Sequence, residues 1–325
     1  GGGSGGGGGE VTTEVIASGF DGTSGATIGP DGALYVAEGI TGEISRVDTT
    51  TGETSTFASG LPAALFAIGG VMDVEFVGDT AYVLLTNVGV DFGATDVSGI
   101  YRIDDADSFT VFADLGSFSA AHLPAYPVDL TEGVAFALIA TRDGFVVTDG
   151  HHNRVLSVNW EGEVSELIAF DNVVPTGLAQ SRGEIYMTEF GAIPYAPEDG
   201  RIIAISKQDQ SVRDVASGYS ALVDVEFSGC GTLYALSQGD SPGDVAPGSP
   251  ALPNSGELLR VYDDGTFTVI AEGLNLPTSL SFAEGAAFVV AQGEVLRINN
   301  VVNDGDRCGG HHDRHQHGGH GHGHH

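Results

Sequence analysis

One motif recurs six times along the chain, an aromatic strand core closed by a polar residue. Its copies are Leu34-Tyr35-Val36-Ala37-Glu38-Gly39, Ala81-Tyr82-Val83-Leu84, Gly144-Phe145-Val146-Val147, Ile185-Tyr186-Met187-Thr188-Glu189, Leu233-Tyr234-Ala235-Leu236 and Ala287-Phe288-Val289-Val290. A repeat of about 40 to 50 residues is the spacing of propeller blades, each of which can bury its faces only against its neighbours. Each copy follows a turn rich in Gly and Asp, such as Gly29-Pro30-Asp31-Gly32 or Arg182-Gly183, whose residues reach the backbone angles a hairpin needs. After each comes an alternating strand of the type Gly42-Glu43-Ile44-Ser45-Arg46-Val47-Asp48. The pattern predicts an all-β chain folded as a six-bladed β-propeller.

A fourth strand follows in five blades, for example Thr54-Ser55-Thr56-Phe57-Ala58 and Thr266-Phe267-Thr268-Val269-Ile270, but none follows Ile298. Residues 11–18, which read Val-Thr-Thr-Glu-Val-Ile-Ala-Ser, alternate in the same way. They are expected to complete the sixth blade and remove the sheet edge an unfinished blade would expose. The organisation that results is a Gly-rich tail over 1–10, a propeller over 11–302 and a His-rich tail over 303–325, with neither tail carrying the apolar residues of a core.

Charge narrows the partners. Twelve Lys and Arg stand against 44 Asp and Glu, a formal net charge of −32, and Lys207 is the lone lysine. Phosphate recognition needs a cationic surface, so a nucleic-acid partner is excluded. The same charge suits a saline medium or a cation-rich surface, and equally a plainly solvated acidic exterior. No run of about 18 apolar residues exists to span a membrane as a helix. The chain opens on Gly1 rather than Met, which reads as an exported product, secreted or at the cell surface, from which a targeting segment has been removed. Cys230 and Cys308, the two cysteines, are the one pair that could bridge, and an oxidising compartment would keep that bridge. The strand directions put both on the face opposite the long loops, together with Gly9-Glu10, so the tails should leave from one face.

The blade openings Ser18-Gly19-Phe20 and Gly29-Pro30-Asp31-Gly32-Ala33-Leu34-Tyr35-Val36-Ala37-Glu38, followed by Gly42-Glu43-Ile44-Ser45-Arg46-Val47-Asp48, resemble the ScyD/ScyE family of exported propellers. Asp149-Gly150-His151-His152-Asn153-Arg154-Val155 is similar to NHL and gluconolactonase-type propellers. The resemblance implies the fold and export. It implies no agreed reaction, since propellers host enzymes, binders and scaffolds alike.

Candidate chemistry falls in three places. Residues just after the aromatic cores, namely Glu38, Asn87, Asp149, Glu189, Gln238 and Gln292, should share one face with the long insertions at 88–98, 190–199 and 239–255, and that face is the expected binding surface. The repeated tetrapeptides Asp73-Val74-Glu75-Phe76 and Asp224-Val225-Glu226-Phe227 are read as opening the innermost strands of blades two and five, with carboxylates at the channel mouth. Asp73, Asp224, Glu38, Asp149 and Glu189 are oxygen donors of the kind Ca²⁺ takes six to eight at a time; they would equally cap backbone amides. Gluconolactonase-type propellers hold a metal on a Glu/Asn/Asp set, which Glu38, Asn87 and Asp149 could imitate. His151-His152 would ligate a metal or fill a turn.

The third place is the tail, where His311, His312, His315, His317, His320, His322, His324 and His325 form a set suited to Cu²⁺, Ni²⁺ or Zn²⁺. These histidines are interleaved with Gly, Asp, Arg and Gln, unlike the unbroken run of a purification tag. No His-Glu-x-x-His helix or Cys-x-x-Cys pair occurs. The expected function is therefore a secreted, non-enzymatic structural or binding module that self-associates or meets another extracellular protein through a metal-binding tail. A metal-dependent lactonase-like hydrolase and a binder of a small molecule or pigment are the alternatives.

Overall fold

The computed structural model describes residues 9–191, 196–243, 245 and 249–301. Twenty-four strands form six four-stranded antiparallel sheets. After β1 (Thr12–Ser18), blade 1 runs β2 (Thr23–Ile28), β3 (Leu34–Glu38), β4 (Glu43–Val47) and β5 (Thr54–Ala58) from the channel outward. Blade 2 comprises β6 (Gly70–Val77), β7 (Thr80–Thr86), β8 (Gly99–Asp105) and β9 (Ser108–Ala113), and a short helix, α1 (Leu115–Ala121), follows it. Blade 3 holds β10 (Ala135–Thr141), β11 (Gly144–Asp149), β12 (Arg154–Asn159) and β13 (Val164–Ala169). Blade 4 holds β14 (Pro175–Gln180), β15 (Glu184–Glu189), β16 (Gly200–Ser206) and β17 (Val212–Tyr219). Blade 5 holds β18 (Leu222–Phe227), β19 (Leu233–Ser237), β20 (Gly256–Val261) and β21 (Phe267–Leu274). Blade 6 holds β22 (Pro277–Ala283), β23 (Ala286–Ala291) and β24 (Glu294–Asn299), with β1 as its outermost strand.

The second strands explain why the aromatic motif is so regular. Every residue of β3, β11 and β23 is buried, because these strands lie between two neighbouring blades and pack on both faces. The outermost strands, such as β5 and β13, are mostly exposed or half-buried and accept polar residues. Six apolar clusters result, one in each gap between adjacent blades. Tyr35, Ile44, Val74 and Val83 fill the gap between blades 1 and 2, and Leu34, Val36, Phe288 and Val295 fill the gap between blades 6 and 1. The core is thus a ring, and no gap can be left open without exposing two apolar faces.

The expected closing strand is present. Antiparallel pairing runs from Thr12 opposite Asn299 to Ser18 opposite Glu294. Arg297 Nε donates to Glu14 Oε1 at 2.8 Å and Arg297 Nη1 to the Thr49 carbonyl at 2.9 Å, tying β24 to both its partner strand and blade 1. On the channel side, Thr278 Oγ1 donates to the Ser24 carbonyl at 2.7 Å and the Ala26 amide to Ser279 Oγ at 3.1 Å.

Two expectations need correction. Asp73 and Asp224 do not open their strands, because β6 begins at Gly70 and β18 at Leu222, so both carboxylates stand inside the channel rather than at its mouth. The insertions at 88–98, 190–199 and 239–255 do join second to third strands on one face, but a longer one, residues 114–134, joins blade 2 to blade 3 there and carries α1. Asp114 caps that helix by accepting from the Ser117 amide at 2.9 Å. Among the described residues, no helix is long and apolar enough to cross a membrane.

Candidate functional site: channel and long-loop face

The innermost strands of all six blades line a narrow channel cavity of about 60 Å³. Four carboxylates enter it from blades 2 and 5, which stand opposite each other in the ring: Asp73 and Glu75 on β6, Asp224 and Glu226 on β18. Asp73 Oδ1 accepts from the Val74 amide at 2.8 Å, and Oδ2 reaches across to the Leu138 amide of blade 3 at 2.9 Å. Asp224 repeats this three blades on, accepting from Val225 at 2.9 Å and from Leu280 of blade 6 at 2.8 Å. Each aspartate depends on a glycine of the preceding blade. A Cβ on Gly25 would stand 2.2 Å from Asp73 Oδ1, and one on Gly177 would stand 2.4 Å from the Asp224 Cα. Glycine here makes room for a side chain that staples one blade to the next.

Removal from water dominates the chemistry of this quartet. Burial pushes Asp224 up to about 7, against the pull of its two amide donors. Burial likewise pushes Glu75 up to about 7, and burial together with the Asp224 charge raises Glu226 to about 8. Asp73 is raised well above the usual carboxylate range, by burial first and then by the charges of Glu75 and Asp224. Burial in the channel therefore favours the protonated form of each of the four carboxyls.

Glu38, Asn87, Asp149, Glu189, Gln238 and Gln292 end or follow the second strands, so they lie on the long-loop face, yet most have partners within their own part of it. Glu38 Oε2 accepts from the Asp21 amide at 2.9 Å and Oε1 from the Ser45 hydroxyl. Asn87, at φ 56°, donates from Nδ2 to the Ile68 carbonyl at 2.8 Å. Glu189 is gripped in bidentate fashion by Arg201, Nε at 2.8 Å and Nη2 at 3.2 Å. Gln238 Oε1 accepts from the Ala251 amide at 3.4 Å.

Asp149 anchors the largest piece of this face. Its Oδ1 accepts from three amides, Val134 at 3.1 Å and His151 and His152 at 2.9 Å each. His152 continues the anchor. It is buried, Nε2 donates to the Leu130 carbonyl at 2.8 Å, and Nδ1 lies 3.3 Å from Arg154 Nη2. Burial lowers the His152 pKa, which favours the neutral ring that this arrangement uses. Arg154 Nη1 in turn donates to the His122 carbonyl at 2.7 Å, holding the end of α1. Replacing Asp149 by Ala is expected to strand three amides, that of His152 buried and those of Val134 and His151 half-buried, and destabilise the fold by about 3 kcal/mol. Hydrogen exchange should show 114–134 losing protection in that variant, and unchanged protection there would contradict the role.

These geometries bear on metals. Among the described residues, no three His, Cys, Asp or Glu side chains are grouped so as to hold one ion. Glu38, Asp149 and Glu189 end the second strands of three different blades, and each has at least one carboxylate oxygen engaged by a protein donor. Asp73 and Asp224 have both oxygens on backbone amides. The tail histidines 311–325 and Cys308 lie outside the described residues, while Cys230 sits in the turn between β18 and β19 on the opposite face.

Glu75 and Glu226, which belong to the repeated tetrapeptides, alternate with Asp73 and Asp224 along their strands, which puts all four on the channel side. One feature escaped sequence reasoning. A second cavity, of about 550 Å³, opens on the long-loop face between blades 3 and 4, beneath the 114–134 connection. The unusually wide spacing between Phe112 and Ala135 was its signal.

No protein-family model matches the chain, and no curated protein matches it. Solved structures do. A gluconolactonase from Xanthomonas campestris aligns over 89% of both chains at a TM-score of 0.62 and 13% identity. The PQQ-bound aldose sugar dehydrogenase from Streptomyces coelicolor aligns over 89% of this chain and 98% of its own, at a TM-score of 0.59 and 13% identity. A chain of a nidogen/laminin complex aligns over 78% of this chain and 83% of its own, at a TM-score of 0.53 and 15% identity. Likeness at such identities speaks for the fold: the chain is a six-bladed β-propeller with gluconolactonase-like structural neighbours.

Proposed function

We propose that this protein is a non-catalytic propeller of the ScyD/ScyE type, working outside the cell as a structural and binding module. Its ring is the rigid body, and its tails bind transition-metal ions and join copies of the chain. The observation that carries this reading is the common root of the tails. Both β1 and β24 meet in blade 6, where Asn300 Nδ2 donates to the Glu10 carbonyl at 2.9 Å, and this junction lies on the face opposite the long loops. The described ends of the chain, Gly9 and Val301, therefore lie near each other on that face. Cys230 shares that face, so a disulfide to Cys308 would hold the start of the His-rich segment against the ring. Eight closely spaced imidazoles would supply nitrogen donors to Zn²⁺, Ni²⁺ or Cu²⁺, and donors from two chains would complete one ion's shell.

Gluconolactonase and sugar dehydrogenase neighbours keep a hydrolase or sugar-converting reading in view. Against it stand the engaged carboxylates of Glu38 and Asp149. The nidogen/laminin neighbour shows the same fold inside a protein complex. Sedimentation velocity of the full chain tests the proposal. Adding ZnCl₂ should convert the monomer to larger species that EDTA reverses, and a chain lacking 309–325 should remain monomeric throughout. Metal-independent sedimentation of the full chain would refute it.

A further inference from the structure

The long-loop face carries an apolar patch of which the tail-linking role makes no use. Three connections at the gap between blades 1 and 2 build it: the β3–β4 turn gives Ile40, the β5–β6 connection gives Leu65, Phe66 and Ile68, and the β7–β8 insertion gives Val90. Val90, Ile40 and Phe66 are, at 66%, 61% and 61%, the most exposed large apolar side chains among the described residues. Phe92 joins them, its ring stacked on that of Phe66 with the centroids 6.0 Å apart. Single exposed apolar residues are ordinary on a protein surface, whereas a contiguous group of them marks a contact surface.

The three connections are tied down. The Ala64 amide donates to the Gly39 carbonyl at 2.9 Å, which sets Leu65 beside Ile40. Asn87 Nδ2 donates to the Ile68 carbonyl at 2.8 Å, and the Val90 amide donates to Glu132 Oε1 at 3.1 Å. Asp91, between Val90 and Phe92, accepts from the Thr131 amide at 3.1 Å and the Glu132 amide at 2.9 Å. Beneath the patch the gap is already filled by Leu61, Val71 and Val88, so the outer side chains have no core left to enter. A fixed apolar surface results, with little left to order when a partner arrives.

Charge selects the occupant. Residues 9–134 contain no Lys and only Arg46 and Arg102, which are paired with Asp31 at 2.8 Å and Asp104 at 2.7 Å. The rim of the patch is acidic. Asp21 precedes Gly22, where a Cβ would stand 2.6 Å from Ile40 Cγ1, Glu132 meets the Val90 amide, and Asp96 is exposed in the same insertion as Val90. A second copy of the chain would bring the same carboxylates and a formal charge of −32 against them. Residues 1–8 are Gly and Ser, and 303–325 contain no Leu, Ile, Val, Met, Phe, Tyr or Trp, so neither terminal segment has the side chains to cover the patch. We infer that the patch docks a basic amphipathic segment of a partner protein. Its aliphatic side chains pack on Ile40, Phe66 and Val90, and its Lys or Arg side chains lie over Asp21 and Asp96. An apolar centre supplies the contact and the charged rim steers the approach.

Fluorescence anisotropy on the full-length protein in EDTA tests this with a labelled synthetic peptide of about 14 residues, Leu and Lys spaced to give a helix one apolar face. Two further peptides separate the contributions, one with Ser for every Leu and one with Glu for every Lys. The Leu/Lys peptide should bind at least about tenfold more tightly than either, and its affinity should fall by about threefold or more between roughly 50 and 500 mM NaCl. Combining Phe66→Ser with Val90→Ser should weaken its binding by about tenfold at an unchanged melting temperature, because both side chains are exposed. Combining Asp21→Asn with Asp96→Asn should weaken it at low salt and not at high salt. Equal binding of the Ser/Lys or the Leu/Glu peptide, indifference to the Phe66→Ser and Val90→Ser pair, or no binding of any peptide would overturn the inference. Self-association in EDTA that the same pair abolishes would overturn it too, by giving the patch to a second copy. The zinc-dependent sedimentation uses no peptide, so the two proposals fail separately.

Discussion

Replacing Glu226 by Gln is expected to raise the melting temperature by a few degrees at pH 8 and to leave it almost unchanged at pH 5. In the unfolded chain this carboxyl has its ordinary value of 4.5, whereas in the channel burial, and then the Asp224 charge, raise it to about 8. Between those values the native state binds more protons than the unfolded state, so stability falls as pH rises from about 4.5 to 8. Glutamine carries no charge to desolvate, and its Oε1 can still accept from the Phe227 amide, which now donates to Glu226 at 3.1 Å. The full shift would amount to nearly 5 kcal/mol at about 1.4 kcal/mol per unit. Channel water screens a half-buried carboxylate, so about 2 kcal/mol at pH 8 is the expected gain. Thermal melts of the two proteins at both pH values check it, and a gain of equal size at pH 5 and pH 8 would refute the electrostatic cause.

A larger loss is expected from deleting residues 9–18. Each other blade is made of one continuous stretch of chain, while blade 6 joins both ends of the propeller. Deletion removes the whole β1–β24 ladder, the buried Ala17 side chain and the Glu14 contact with Arg297. It also bares the outer edge of β24, a row of unpaired amides and carbonyls ready to pair with another chain. Because a domain's net stability is only about 5–15 kcal/mol, the deleted protein should melt more than about 15 °C lower or fail to remain a soluble monomer. A synthetic peptide of residues 9–19 added in trans should recover much of that loss. A deleted protein that melts like the parent would show that the ring does not depend on this closure.

The frame of the molecule was legible because blades bury their second strands on both sides, which forces an aromatic and aliphatic run at each repeat. Tyr35, Phe145 and Phe288 mark such runs, and the missing fourth strand after Ile298 could be matched to residues 11–18 by alternation alone. The site was less legible because its decisive contacts join residues far apart in sequence. Nothing near Asp73 announces that its carboxylate will reach the Leu138 amide in the next blade, or that Gly25 exists to admit it. Glu38, Asp149 and Glu189 looked like open oxygen donors from their positions after the aromatic cores. Their engagement with Asp21 and Ser45, with Val134, and with Arg201 depends on how loops fold over the face. The cleft beneath 114–134 was hidden for the same reason, since its lining comes from three connections that share no motif.

These features divide the molecule into a rigid ring, a channel lined by buried carboxylates, a face of long loops and an opposite face where the described residues end at Gly9 and Val301. Electron microscopy of the full chain with Zn²⁺, imaged before and after a chelator, tests that division most directly. The account predicts linked propellers joined through the faces where the tails begin, with long-loop faces pointing outward, and single rings after chelation. Rings joined through their long-loop faces, or assemblies that survive chelation, would contradict it.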